Sequence, residues 1–405
     1  MFNNNDRSPN LLLHADAAYA GDERAVRAGL VSVIIPTYNN ADTIERTISS
    51  VTRQTYPDLE ALVVDDGSTD DTAAKVDRMA QADSRITLLQ KVNGGLVSAR
   101  NHGIAHARGE FIAPLDADDV WHSEKLAKQL AVIEAGGDEV GVVYCWSRAI
   151  DEHDRVLFFD LAPCMLRGNV YTALIMRNFF ASGAPLVRRR CVDEVGGYGG
   201  ITCVSRACED FKFNLDIAER YDFDLVPEFL MAYRCHAGSM STNFDAMMQS
   251  HSGVLEYVRA RHPELPERLF RWAKAHQNRE FGLALVSKGH LRAGLRLFLR
   301  AVREDPLATL RVGVIRIVAR LLRFMKLAEP GGRPRGSRPG HSVVARNFFE
   351  VDPKSICGGR RRAPWTRRRL GYVVGLSVRR RAQLTSGIHG AAVKQALEPV
   401  NTVSP

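Results

Sequence analysis

No stretch of about eighteen consecutive apolar residues occurs in the 405-residue chain, so no membrane-spanning helix is expected. A secretory leader is not expected either. The run Leu11–Leu13 is short, and His14 and Asp16 interrupt it. Cysteine is scarce and unpatterned. The seven cysteines, at 145, 164, 191, 203, 208, 235 and 357, are odd in number and form no C-x-x-C pair. That argues against a disulfide framework or a zinc site and for reduced thiols in a cytoplasmic setting. Acidic residues are nearly missing from one end. Residues 331–405 hold 15 Lys and Arg against 3 Asp and Glu, whereas residues 1–330 hold 40 against 43. The net +9 thus belongs to the tail, and attraction to anionic partners inferred from it stops there. The remainder is ordinary globular composition, 45% hydrophobic and 25% charged, which excludes collagen-like and wholly disordered chains.

From Val31 the punctuation becomes regular. Short β-branched or apolar runs at 31–35 (VSVII), 61–64 (ALVV), 86–90 (ITLLQ), 111–115 (FIAPL) and 141–145 (GVVYC) read as buried strands. Between them, 41–54, 70–80, 95–107 and about 123–135 carry helical spacing, as Ile44, Ile48 and Val51 illustrate. Strands alternating with helices of this length predict an α/β fold, a mostly parallel sheet with helices on both faces. Residues 146–245 are less regular, with helices expected near 169–178 and 209–219 and strands near 185–189 and 223–234. Residues 251–328 read as all-helical. Within them Gly282, Gly294, Phe298, Ala301 and Pro306 match the spacing of a single tetratricopeptide-like helix pair, for which a packing hairpin is the favoured reading.

Ligands of such sheets sit beyond the strand C-termini. Four polar groups fall there or near a helix start. Pro36-Thr37-Tyr38-Asn39 follows the first strand. Asp65-Asp66-Gly67-Ser68 follows the second; Asp66 and Ser68 suit a turn that caps the next helix, while Asp65 suits a ligand contact. Asp116-Ala117-Asp118-Asp119 follows the fourth apolar run. Three carboxylates there form a hard anionic oxygen cluster of the kind that Mg²⁺ or Mn²⁺ prefers, and without a counter-charge they would repel one another. Glu209-Asp210 opens a later helix.

The segments VSVIIPTYN, EALVVDDGSTDDT, ARNHGIAHARGEFIAPLDADD, EVGGY and CED, in that order over about residues 30–240, strongly resemble the family 2 glycosyltransferases. The resemblance implies a GT-A (Rossmann-like) fold, a nucleotide-diphosphate sugar donor with UDP first among the bases, a divalent metal, and inversion at the anomeric carbon. Position by position, it implies that Pro36, Tyr38 and Asp65 surround the nucleoside. Arg100 and the Gly94-Gly95 turn lie near the donor. Asp116 and Asp118 match the family's D-x-D, with Asp118 on the metal and Asp116 nearer the ribose and the metal's waters. Asp210 matches the catalytic base. His236 in YRCHAGSMS matches a histidine near the diphosphate, where it helps hold metal or phosphate; a loop histidine satisfied by its neighbours is the other reading. The segment after the base, FKFNLDIAER, departs from the family's habit at Phe211 and Lys212, which blurs the acceptor. Arg268–Trp272 echoes the Q-x-x-R-W of processive synthases without its Gln and without spanning helices, so transfer of a single sugar is expected.

Two rival readings compete. A nucleotidyltransferase that makes nucleotide sugars would want a Gly-rich phosphate loop after the first strand, and PTYNN lacks one. A nucleic-acid-binding protein rests on the tail alone, and no specific nucleic acid is expected. Residues 310–327 carry Arg311, Arg316, Arg320, Arg323 and Lys326 opposite Leu310, Val314, Ile317, Leu321 and Met325. That basic amphipathic pattern suits either an anionic membrane surface or packing on the preceding helices. The expected organisation is an N-terminal arm (1–29), a catalytic domain (30–245), a helical extension (246–329) and a basic tail of low order (330–405). The expected partners are a nucleotide-sugar donor and a saccharide or lipid-linked acceptor, with a cytoplasmic location and peripheral contact at the inner face of the membrane.

Overall fold

The computed structural model describes residues 25–160, 165–199, 208–236, 243–307 and 348–350. The arm before residue 25, the amphipathic stretch 310–327 and nearly all of the basic tail lie outside the described residues, as do Cys164, Cys203 and Cys357.

The first half is built as the alternating pattern requires. Strands β1 (Arg27–Thr37), β2 (Leu59–Asp65), β3 (Ile86–Gln90) and β4 (Gly109–Pro114) run parallel in the order β3-β2-β1-β4. Val31, Val33, Ile35, Val63 and Ala113 are fully buried, which explains why these strands read as continuous apolar runs rather than alternating ones. Helices α1 (Ile44–Thr52), α2 (Thr72–Ala82) and α3 (Leu96–His106) are the crossovers. Because β2 and β4 flank β1 on opposite sides, the winding reverses beside β1, and a crevice opens at the strand C-termini there. Tyr38, Asp66 and Asp116 stand within two residues of those ends.

Beyond β4 the sheet becomes mixed. After β5 (Val120–Trp121) and α4 (Lys125–Ala135) come β6 (Val140–Ile150), β7 (Val156–Asp160), α5 (Tyr171–Met176), β8 (Leu186–Arg188), α6 (Arg189–Val195), α7 (Glu209–Ala218) and β9 (Asp222–Arg234). The full path is β3-β2-β1-β4-β8-β6-β9-β5, with β7 on β6. β8 is antiparallel to both β4 and β6, and β6 and β9 are parallel. The whole is the GT-A arrangement, an α/β sheet with helices on both faces followed by a helical region. The short strands β5 and β7 have no periodic signal in the sequence; their pairing partners define them.

The helical region comprises α8 (Phe244–Arg261), α9 (Glu267–Ser287) and α10 (Leu291–Glu304). It is fastened to α7, since Tyr257 donates to Asp216 at 2.8 Å and His262 contacts Glu219 at 2.9 Å. α9 and α10 form the expected hairpin, closest where Gly282 meets Gly294: a Cβ on Gly294 would stand 2.6 Å from the Gly282 carbonyl oxygen.

Gly109 opens β4 with no room for a side chain. A Cβ there would meet the Leu30 carbonyl at 2.6 Å and the Ser32 backbone nitrogen at 2.7 Å, and backbone cannot step aside. Gly109→Ala should therefore lower stability by about 2 kcal/mol. Urea unfolding checks this, and an unchanged midpoint would show that β1 and β4 are not packed so closely.

Candidate active site

The acidic turn after β4 is held by its backbone. Thr43 and Thr47 of α1 donate to the Ala117 carbonyl, each at 2.9 Å, and Thr47 also reaches the Asp119 carbonyl at 2.8 Å. With the backbone fixed, the three carboxylates diverge, and each has its own counter-group. Asp116 accepts from Arg100 at 2.6 Å through one oxygen and from the Ser182 hydroxyl through the other. Asp118 faces His236, with Nε2 to Oδ2 at 2.9 Å. Asp119 turns inward and accepts from the Arg234 backbone N–H at 2.9 Å. Burial, and then the neighbouring aspartates, push the carboxyls of Asp118 and Asp119 above the usual range. This is the mutual repulsion anticipated for the cluster, relieved in part by separation.

Arg100 joins this turn to helix α7. Its side chain is 1% exposed, and its two Nη groups reach Asp116 at 2.6 Å and Glu209 at 2.5 Å. The ring of Tyr198 lies 5.0 Å away. Burial opposes the charge on Arg100, but Asp116 and Glu209 outweigh it and hold the guanidinium protonated. Next to Glu209, Asp210 accepts from Asn178 Nδ2 at 3.0 Å and from the Phe211 N–H at 2.8 Å. Burial first, then Glu209 and Asp116, push its carboxyl up to about 6 against the opposing pull of Arg100. A carboxyl so placed is mostly ionised at neutral pH yet basic enough to accept a proton.

At the ends of β1 and β2 stands a pair of loops laced together. Asn39 adopts a left-handed backbone (φ 54°), donates its N–H to Ser68 and accepts from the Thr69 N–H. Asp65, at the end of β2 and 2% exposed, accepts from the Ser68 N–H at 3.0 Å, while its other oxygen stands 3.5 Å from Gln90 Nε2. Asp66 accepts from Lys91 and from the Gly94 and Gly95 N–H groups, so it builds the turn that carries the two glycines. Pro36 is buried in β1 opposite Val64, and Tyr38 projects with half its surface exposed.

Hydrogen bonds thus link Asp116, Arg100 and the Glu209-Asp210 pair, and a second contact links Asp118 with His236. Pro36, Tyr38 and Asp65 share the adjoining strand ends. The sequence reading did not anticipate Asn178, Ser182, the threonines of α1 or the interior role of Arg234. Ser182 and Asn178 lie in an irregular stretch, and only their small or polar character hints at a site.

Among the described residues no three of His, Cys, Asp and Glu are grouped so as to hold a metal ion. The donor set nonetheless fits a hard divalent cation in an open site. Asp118 and His236 would supply two ligands, the Asp118 carboxylate faces the His236 imidazole, and such ions take their remaining oxygens from phosphates and water. Asp116 has both oxygens engaged by Arg100 and Ser182, which sets it apart from Asp118.

Residues 32–194 match the sequence model of the family described as Glycosyl transferase family 2. Over 105 residues the chain is 47% identical to the UDP-Glc:alpha-D-GlcNAc-diphosphoundecaprenol beta-1,3-glucosyltransferase WfgD of Escherichia coli, covering 26% of this chain and 41% of that one. Over 102 residues it is 44% identical to the putative teichuronic acid biosynthesis glycosyltransferase TuaG of Bacillus subtilis, covering 25% and 40%. The match thus spans about two fifths of each of these two curated relatives. Among solved structures, S. aureus TarS 1–349 in complex with UDP-GlcNAc aligns over 68% of this chain and 92% of that one, at 16% identity and a TM-score of 0.45. The family match and the curated relatives support a family 2 glycosyltransferase.

Removing the cation that two carboxylates share leaves uncompensated charge inside the protein. Arg100→Ala should cost about 3 kcal/mol or more, and adding Glu209→Gln should recover part of the loss. Denaturant titration of the single and double variants measures both effects. A single variant as stable as the parent would remove Arg100 from its place between the two segments.

Proposed function

We propose that the chain is a metal-dependent, inverting, non-processive glycosyltransferase. It moves one sugar from a nucleotide-diphosphate sugar, UDP-linked first, to an acceptor hydroxyl in polysaccharide, cell-envelope or glycolipid synthesis. The observation that carries this reading is the Asp116–Arg100–Glu209 bridge, which ties the strand-end acidic turn to the helix that begins with Asp210. A donor-binding turn and a proton acceptor serve one reaction only if they are held together.

In this reading residues 30–245 are the catalytic domain, 246–329 buttress it, and 330–405 form the basic tail. Pro36, Tyr38 and Asp65 receive the nucleoside, and Arg100 with Asp116 orders the floor beside the ribose. Asp118 and His236 would hold Mg²⁺ or Mn²⁺, which when bound supplies Lewis-acid stabilisation of a leaving diphosphate. Asp210 accepts the proton of the acceptor hydroxyl as that oxygen attacks from the side opposite the diphosphate, so the configuration inverts. Asn178 and the Phe211 N–H fix the direction in which the Asp210 oxygens point. The name of the E. coli relative describes a lipid-linked acceptor, and an acceptor of that class gives the basic segment 310–327 and the tail a role at an anionic membrane surface. Among the described residues no helix is long and apolar enough to cross a membrane.

Asp210→Asn should lower transfer by roughly 10²–10⁴-fold while the affinity for nucleotide and Mn²⁺ stays nearly unchanged. A sugar-transfer assay beside calorimetric titration of UDP separates the two, and full activity of the variant sinks the mechanism. Because the Asp210 carboxyl is pushed up to about 6, its basic form is lost below that value. The unaltered enzyme's kcat/KM should therefore fall with decreasing pH through about 6, and a flat profile down to pH 5 would assign the proton to another group. Asp118→Ala should weaken UDP binding about tenfold or more in the presence of Mn²⁺ and little in its absence. Equal affinities with Mn²⁺ count against the metal assignment.

A further inference from the structure

Beyond the helical region the described residues include one 3-10 turn, Phe348–Glu350. Its first side chain is 1% exposed although the turn lies far from α10 in sequence. Phe348 completes a small apolar cluster with Val120, Ile150 and Ala232, separate from the main core, with Val156 packed against it. Every partner borders the acidic turn or its supports. Val120 directly follows Asp119 and pairs with Ala232 across β5 and β9, while Ile150 pairs with Val156 across β6 and β7.

The backbone at Phe348 is also engaged. Its N–H donates to the Asp154 carbonyl at 2.9 Å. The Asp154 carboxylate accepts from Arg234 Nη2 at 2.5 Å. Arg234 in turn donates through Nε to the Asp118 carbonyl at 2.6 Å and through Nη1 to the Asp151 carbonyl at 2.7 Å, and its own N–H binds Asp119. Two routes, one apolar and one polar, therefore run from Phe348 to the turn that carries Asp118. The ring packs in one cluster with Val120, and the Phe348 N–H holds the Asp154 carbonyl, whose carboxylate holds Arg234. Phe349, by contrast, is 45% exposed and is absent from the cluster.

We propose that the segment carrying Phe348 is part of the donor site, and that Phe348 is a positioning residue that holds the Asp116–Asp119 turn and Arg234 in register with His236. The consequence for donor binding rests on the reading of Asp118 and His236 given above; the mechanical role does not.

The test uses full-length chains carrying Phe348→Leu, Phe348→Val, Phe348→Ala and, as control, Phe349→Ala. Amide exchange resolves the local effect, and titration of UDP and of GDP, each with Mn²⁺, resolves the effect on the site. Exchange at residues 117–121 and 231–235 should speed up about tenfold in Phe348→Ala, less in the Leu and Val variants and least in Phe349→Ala, whose ring meets that of Phe348 edge-on at 5.5 Å and stays outside the cluster, with β2 and α9 unchanged. Nucleotide affinity in the presence of Mn²⁺ should fall in the same order, about tenfold for Ala. If Phe348→Ala does not fold, the Leu and Val variants carry the comparison. Unchanged exchange around the turn, or exchange raised evenly over the whole sheet, overturns the proposal. If neither nucleotide binds the unaltered chain, the donor reading fails while the exchange pattern still decides whether Phe348 holds the turn.

Discussion

The site depends on one buried cation. Asp116, Glu209 and Asp210 come from segments about a hundred residues apart, and together they would repel strongly in surroundings from which water is largely excluded. Arg100 makes their approach tolerable by meeting two of them directly through its rigid planar fork. Its position on α3 matters as much as its charge, because that helix packs on β1 and β2 and so has a fixed height above the strand ends. The bridge sets where α7 begins, and therefore where Asp210 points.

Charge is divided with some care around this bridge. Asp116 is neutralised by Arg100 and Asp119 is buried against the Arg234 backbone, which leaves Asp118 with an imidazole as its counterpart. Of the three aspartates of the turn, Asp118 thus keeps the most capacity for a further cation. Asp210 retains a carboxyl more basic than usual because its surroundings are dry and acidic at once. Carboxyls of unlike basicity thus arise from the same residue type through different neighbours.

Much of this could be read from the sequence, for definite reasons. Runs such as VSVII and ALVV are buried on both faces of a parallel sheet and so announce themselves as strands, and the strand ends point to Asp65 and Asp116 without any knowledge of packing. The carboxylates of the turn stand out because acidic residues clustered at a strand end demand an explanation, whereas Asp210 reads as ordinary first-turn helix charge and is singled out only by the family resemblance. What binds them to one another was not legible. The Arg100–Glu209 contact spans 109 residues and the Arg234–Asp118 contact 116, and no period or spacing encodes a pairing at that range. In the mixed second half the strands near 185–189 and 223–234 were legible, but the two-residue β5 owes its existence to its neighbour β9 and was not.

The reversed direction of β8 has a geometric corollary. Phe111 of β4 lies opposite Arg188 and Ile112 opposite Val187, so the chain enters β8 at the edge where β4 leaves. Had β8 run with its neighbours, the stretch that leads into it would have emerged at the far rim. Inverting one three-residue strand delivers residues 177–185 to the catalytic mouth, and this is how Asn178 and Ser182 arrive beside carboxylates contributed by other parts of the chain. The wall formed by residues 177–185 is thus a by-product of strand polarity, and its sequence can be remade without disturbing the parallel half of the sheet.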